Sequence, residues 1–381
     1  MKKSKYKHYS LNSFFKRVLV LSIIIIPTTL AKSNPSIPPE RAIAFKRVKS
    51  LDNGVSISWL EQTWSKDILN ENAPQIADFI LLKKLGFKSI RLPVAFKYFE
   101  SHNIPIEKVL NIIDGVIKQC HVYGFKLIID YHYGEIDDDN YGTEAIKVVN
   151  TWSLLAKRYI KTNPDDLLFE LYNEPPHMDP QKWKDAAYNI VTAIRKIDKQ
   201  RTLIIGASNF NSIYELSRFV RLADENIIYT FHFYEPFLFT HQGAEWVGAQ
   251  ESTVGVPFPY NAEKFPALNS QSKGTTGEIN YYQYIHDGNE QSITDKLTIV
   301  KKWGDSYQVP ILCGEYGVYN KYADIDSRCR YIKAVRKSLK QLKIPGMLWD
   351  YNSAFSIFNG KPSIETLPDC MKDAIDYTGA N

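Results

Sequence analysis

Eight times along this chain a short apolar run is followed by a segment of helical period, and that alternation restricts the fold more than any other feature. The runs are Gly54–Trp59, Lys88–Val94, Phe125–Asp130, Leu167–Tyr172, Thr202–Gly206, Ile227–His232, Val309–Gly317 and Gly346–Trp349. The helical segments after them are Ile76–Leu85, Ile106–Tyr123, Glu144–Ile160, Trp183–Ile197, Ile213–Leu222, Ile293–Tyr307, Ile325–Leu342 and Leu367–Tyr377. Near-continuous apolar strands suit a parallel sheet covered on both faces. Right-handed crossovers between eight such units close into a single α/β barrel, (β/α)8. The competing arrangement is an open doubly wound sheet, disfavoured because no Gly-x-Gly-x-x-Gly follows the first strand. A barrel needs about 250 residues, so 381 residues accommodate one barrel with long loops.

The N-terminus carries Lys2, Lys3, Lys5, Lys7, Lys16 and Arg17, then a mainly apolar run of 13 residues from Val18 to Leu30, then small residues around Ala31 and Ser33. Basic flank, short apolar run and small residues are the grammar of a secretory signal peptide. The run contains Pro27 and is shorter than the roughly 20 residues of a spanning helix. Residues 1–33 are therefore expected to be a leader and 34–381 a single folded domain, secreted to a periplasmic or extracellular location. Seven of the 47 Lys and Arg and none of the 42 acids lie in the first 33 residues, which leaves 40 basic against 42 acidic residues, a net of −2. Neither nucleic acid nor an anionic membrane is then expected as a partner. Cys120, Cys313, Cys329 and Cys370 lack metal-ligand spacing; Cys313 reads as a buried strand residue, and Cys329 with Cys370 as a candidate bridge.

The chemistry gathers where the strands stop. Leu167–Tyr172 ends in Asn173-Glu174-Pro175-Pro176, and the double proline permits neither ladder nor helix to continue. A second glutamate, Glu315, ends the run Val309–Gly317. C-terminal strand ends are where barrels place reacting groups. Two carboxylates on separate strand ends are what glycosidic cleavage requires, one to protonate the leaving oxygen and one to attack or to activate water. Arg91, His132, Asn173, His232, Tyr234 and Trp349 fall at other strand ends on the same face. Asp130 and His132 could also pair on a metal, but no further ligand spacing supports this, and no glycine cluster after the last strands suggests a phosphate site.

With those residues in view the chain resembles glycoside hydrolase family 5, the cellulase family of the Asn-Glu clan. The resemblance rests on Ile90-Arg91-Leu92-Pro93, Asp130-Tyr131-His132, Tyr172-Asn173-Glu174-Pro175, His232-Phe233-Tyr234, Gly314-Glu315-Tyr316-Gly317 and Trp349, and spans about residues 50–375. It implies a (β/α)8 barrel, retaining hydrolysis of β-linked glycans, and neither cofactor nor metal. Glu174 would be the acid/base and Glu315 the nucleophile. Arg91 and Tyr234, with His132 nearby, would keep Glu315 ionised, and its charge would raise Glu174. Asn173, His132 and His232 would hold the sugar over Trp349. The expected activity is a secreted, monomeric endo-β-1,4-glucanase acting on a β-linked polysaccharide or oligosaccharide. A β-mannanase, a xyloglucanase and a catalytically silent glycan-binding protein are the alternatives. A long, weakly periodic loop from Glu235 to Gln291 holds Trp246, Phe258, Tyr260, Phe265, Tyr281, Tyr282 and Tyr284, which either line the cleft or cluster among themselves.

Overall fold

The computed structural model describes residues 37–379. Eight parallel strands, β1 (Gly54–Ser56), β2 (Ser89–Val94), β3 (Lys126–Tyr131), β4 (Leu167–Glu170), β5 (Leu203–Ile205), β6 (Ile227–His232), β7 (Ile311–Tyr316) and β8 (Gly346–Leu348), pair in chain order. β8 returns to pair with β1, closing the expected barrel. Strand side chains alternate between faces, and the two sets bury into different cores. Ile90, Leu92, Leu127, Ile129, Leu167 and Phe169 pack with residues of the surrounding helices. Their alternates Ile128 and Leu168 join Ile204, Ile228, Leu312 and Met347 in a separate cluster inside the barrel.

That inner cluster also contains Ala44, Val48 and Leu51, contributed by and just after a helix, α1 (Pro39–Ser50). Residues 34–48 read as irregular because Pro35, Pro38 and Pro39 break the pattern, yet proline is tolerated in a first helical turn where no backbone donor is lost. So α1 covers the inner core opposite the strand ends that bear the polar residues. The leader assigned to residues 1–33 lies outside the described residues. Among the described residues no helix is long and apolar enough to cross a membrane.

The helix Ile106–Tyr123 matches its sequence period, burying Val109, Leu110, Ile113, Val116 and Cys120 and ending on Gly124 in a left-handed cap. Two other expectations are shortened: only Ile213–Leu216 of 213–222 is α-helical beyond the kinked turn before it, and only Asp369–Ala374 of 367–377. The long loop contains a helix, Thr276–Asp287. It escaped the periodic reading because only Gly277 and Tyr284 are buried on it while Ile279, Tyr282 and Ile285 face solvent. Cys329 and Cys370 form a disulfide with Cα atoms 5.7 Å apart, and Cys313 is a buried strand residue.

Candidate active site

All eight residues singled out at the strand ends converge. Arg91 on β2 lies at their base, fully buried. Its Nη1 donates to Glu315 Oε1 at 2.7 Å, its Nε to Glu170 Oε2 at 2.7 Å, and its Nη2 to Asn173 Oδ1 at 2.7 Å and Glu170 Oε1 at 3.0 Å. Asp130 Oδ2 is 3.1 Å from the same guanidinium. Because Arg91 occupies the side-chain oxygen Oδ1 of Asn173, the amide Nδ2 of Asn173 is the group left to donate into the cleft.

Glu315 faces inward through a break in regular pairing. On β6 and β7, Phe231 is opposite Cys313 but His232 is opposite Glu315, so one extra residue, Gly314, is accommodated between them. A β-carbon at Gly314 would lie 2.5 Å from Thr230 Oγ1 and 3.2 Å from His232 Nε2, which only glycine avoids. The bulge turns Glu315 to the interior, where Tyr234 Oη donates to its Oε2 at 2.8 Å.

Glu174 Oε1 is 2.6 Å from His232 Nδ1. Asn211 Nδ2, which donates to the Asn173 carbonyl, is also 3.4 Å from His232 Nε2. The imidazole therefore carries its proton on Nδ1 and donates it to Glu174. Burial holds His232 neutral, down to about 4, with Glu315 opposing and Arg91 assisting. His132 is likewise held neutral at about 3 by burial and Arg91. Its Nδ1 pairs with Asp130 Oδ2 at 2.7 Å and its ring is parallel to Trp349 at 5.7 Å. Asp130 Oδ2 thus pairs with both His132 and Arg91, which accounts for the two residues without the metal considered from spacing.

Burial raises Glu174 to about 7, while His132 and Arg91 lower it. Desolvation is the larger cause, and the mutual repulsion of the two carboxylates, seen in the effect of Glu174 on Glu315, acts in the expected direction. Burial also raises Glu315, against His232 and Arg91 and with the help of the Glu174 charge. The expectation that its neighbours simply keep it ionised is therefore modified: they oppose a substantial desolvation. Glu174 is the more open of the two, its side chain 31% exposed against 6% for Glu315, so substrate would complete its desolvation.

Donor atoms of Glu174, His232 and Glu315 all lie within 4.8 Å of one another. That spacing could hold a cation, but Arg91 and Tyr234 engage the oxygens of Glu315 and His232 spends its Nδ1 proton on Glu174. The arrangement suits proton transfer and nucleophilic attack.

Two cavities meet at this pair. The larger, about 740 Å³, has Trp349, His132, Asn173, Glu315 and Glu61 in its lining. The smaller, about 500 Å³, is lined by His232, Phe210, Ile213 and Phe237. Glu174, Tyr234, His241 and Trp246 border both. Of the seven long-loop aromatics named from the sequence, only Trp246 reaches the cleft, beside Phe237 at the start of that loop. Phe258 and Tyr284 are fully buried, Phe265 stacks on Tyr281 and Tyr284 at 4.7 and 5.5 Å, Tyr260 packs on Phe265, and Tyr282 is exposed. Sequence reasoning missed Glu170, which sits inside an apolar run. It also missed Glu61, His241 and Phe210, which lie in connections with no period to place them.

The family model for cellulase (glycosyl hydrolase family 5) matches residues 48–355. Endoglucanase 3 of Fibrobacter succinogenes is 30% identical over 356 residues, 86% of this chain and 53% of that protein, so the chain spans about half of that relative's length. Endoglucanase C of Acetivibrio thermocellus is 31% identical over 301 residues, 74% of this chain and 85% of that protein. Among solved structures, an endoglucanase superposes with a TM-score of 0.71 at 25% identity, covering 87% of this chain and 99% of that one.

Proposed function

The chain belongs to glycosyl hydrolase family 5, and on that premise we propose that it is a secreted, retaining endo-β-1,4-glucanase. The observation that carries the reading is the short gap between two unlike carboxyl groups. Oxygens of Glu174 and Glu315 lie within 4.8 Å, in keeping with the carboxyl separation of about 5–5.5 Å used for retention and short of the roughly 6.5–9.5 Å that admits a water for inversion.

In this mechanism the sugar to be transferred lies over Trp349, with Asn173 Nδ2 donating to its 2-hydroxyl. Glu315, oriented by Arg91 and Tyr234, attacks the anomeric carbon. Glu174, protonated below about pH 7, gives its proton to the glycosidic oxygen as that bond breaks. Glu315 is then esterified and loses its charge, and the Glu174 carboxylate takes a proton from the water that releases the sugar. The Nδ1–H of His232 stabilises that carboxylate. Trp349 and Glu315 line the larger cavity, which therefore receives the non-reducing side of the substrate. The smaller cavity, bordered by Glu174 and presenting the exposed Phe210 ring, receives the leaving side. A cleft with room on both sides of the cut supports endo action. The leader-like sequence of residues 1–33 and the Cys329–Cys370 disulfide support an oxidising, extracytoplasmic location.

Incubation of the mature protein with soluble β-glucans, xyloglucan and mannans, read by new reducing ends, tests the reading. β-1,4-Glucan is expected to be cut fastest; preferred cleavage of mannan or xyloglucan would reassign the substrate, and no cleavage of any would leave a glycan-binding protein. Glu174→Ala and Glu315→Ala are each expected to reduce turnover about a thousandfold or more while retaining the wild-type melting temperature.

A further inference from the structure

The turn that follows β5 is left-handed for three residues in succession. Asn209, Phe210 and Asn211 have φ of 57°, 59° and 54°, whereas residues with side chains ordinarily visit this region singly, and a bulky one such as Phe rarely at all. Such strain persists only where the surroundings enforce it, and it concentrates at functional sites. The surroundings here are the segment that carries Glu174. Asn209 N donates to the Pro176 carbonyl at 2.9 Å and Phe210 N to the Pro175 carbonyl at 2.8 Å. Asn211 Nδ2 donates to the main-chain carbonyl of Asn173. Three successive residues of the turn therefore grip the chain on both sides of Glu174.

Asn211 does more than close this clasp. It is fully buried, and Gly206, just after β5, leaves room for it, since a β-carbon there would collide with Asn211 Oδ1. That oxygen has no hydrogen-bond partner. An orphaned buried acceptor is costly, so the side chain is kept for its two donors. One serves Asn173. The other is available to His232 Nε2, 3.4 Å away, and His232 Nδ1 lies 2.6 Å from Glu174 Oε1. A neutral imidazole has one donor and one acceptor nitrogen. With Nε2 facing a donor, Nδ1 has to carry the proton.

Building on the assignment of Glu174 as acid/base, we propose that Asn211 is a positioning residue for that carboxyl: it holds His232 in the tautomer that presents an N–H to Glu174. This donor stabilises the Glu174 carboxylate, the form that takes a proton from water in the second half-reaction. Without Asn211 the imidazole is free to carry its proton on Nε2 and to accept from a protonated Glu174 through Nδ1. That tautomer favours the acid and disfavours the base. The other charged and titratable groups facing this pair are Arg91 on β2, Asp130 and His132 at the end of β3, Glu170 on β4, Tyr234 after β6 and Glu315 on β7. None of them hydrogen-bonds to Asn211, so its replacement removes the donor and leaves their charges.

The test uses dinitrophenyl β-cellobioside, whose leaving group departs without a proton. kcat then reports the second half-reaction and kcat/KM the first. Asn211→Leu, of similar size and without donors, is expected to lower kcat about tenfold and to change kcat/KM by less than about threefold. Azide attacks the anomeric carbon as its ester bond to Glu315 breaks and has no proton to lose, so it should restore kcat. On a cello-oligosaccharide, whose leaving group does need the proton, the alkaline limb of kcat/KM, near pH 7 in the wild type, should move to higher pH. Proton–nitrogen correlation spectra should show the His232 proton on Nδ1 in the wild type and partly on Nε2 in the variant. Asn211→Ser, too short to span Asn173 and His232, decides if the leucine variant does not fold. The wild-type spectrum decides independently of either: a proton on Nε2 overturns the proposal. An unchanged kcat, an equal fall in kcat and kcat/KM, or a limb that stays in place overturns this proposal alone. A wild type that cleaves neither substrate overturns the catalytic reading and this inference with it.

Discussion

At the scale of single residues, Tyr234 separates positioning from packing. Its hydroxyl bonds Glu315 Oε2, and its ring also contacts His241 edge-on at 4.8 Å. Tyr234→Phe keeps the ring and removes one hydrogen bond to a charged group, worth about 1.5–3 kcal/mol. Turnover is therefore expected to fall about 10- to 150-fold at an unchanged melting temperature; a change within twofold would leave Tyr234 a packing residue only. The same scale shows what could be read in advance. His132, Asn173, Glu174, His232, Tyr234, Glu315 and Trp349 were legible because each lies at or just past the end of a strand, and Arg91 because it is a charge within one. Glu170 was not weighed as a site residue because it sits within an apolar run, and Asp130 was weighed only as half of a metal pair. A charge there demands a buried counter-charge, and Arg91 was the visible candidate.

At the scale of the element, the β7 bulge aims the reacting carboxylate. Gly314→Ala would force Thr230 and His232 apart from the strand, and overpacking of this kind costs about 1–3 kcal/mol. A displacement near 1 Å at the reacting group can cost about a hundredfold in rate. The variant is expected to fold with a lowered melting temperature and to lose about that much turnover. Thr230→Ala in the same chain removes the nearer contact, so the double variant should recover more than additivity allows; no recovery would place the cost elsewhere. The bulge itself was not readable, because a Gly-Glu pair near a strand end fixes composition and not register. For the same reason α1 and the helix Thr276–Asp287 were missed. One begins at prolines and the other buries too few residues to show a period.

At the scale of the whole molecule, buried titratable groups set the response to pH. Burial holds His132, His232 and His241 neutral, at about 3, 4 and 3. Burial raises Glu61 and Glu251 to about 8 and Asp130 and Glu174 to about 7. Ordinary values lie near 6.5 for His and about 4 for the acids. Above pH 6.5 the histidines are neutral whether the chain is folded or not, while the folded state still binds protons on these acids that the unfolded state has lost. Stability therefore declines as pH rises from about 6.5 to 8. Thermal melts across that window should show a falling midpoint, less steep in Glu61→Gln. A midpoint that rises would contradict the burial of these acids.

The central claim, that Glu315 attacks the sugar and Glu174 serves both half-reactions, fixes the stereochemistry of the product. Proton NMR of a soluble cello-oligosaccharide digest, recorded before mutarotation, reads it directly. Double displacement predicts that the β-anomer forms first and decays toward equilibrium. An α-anomer formed first would mean a single inverting displacement by water, and would contradict the roles given to both glutamates.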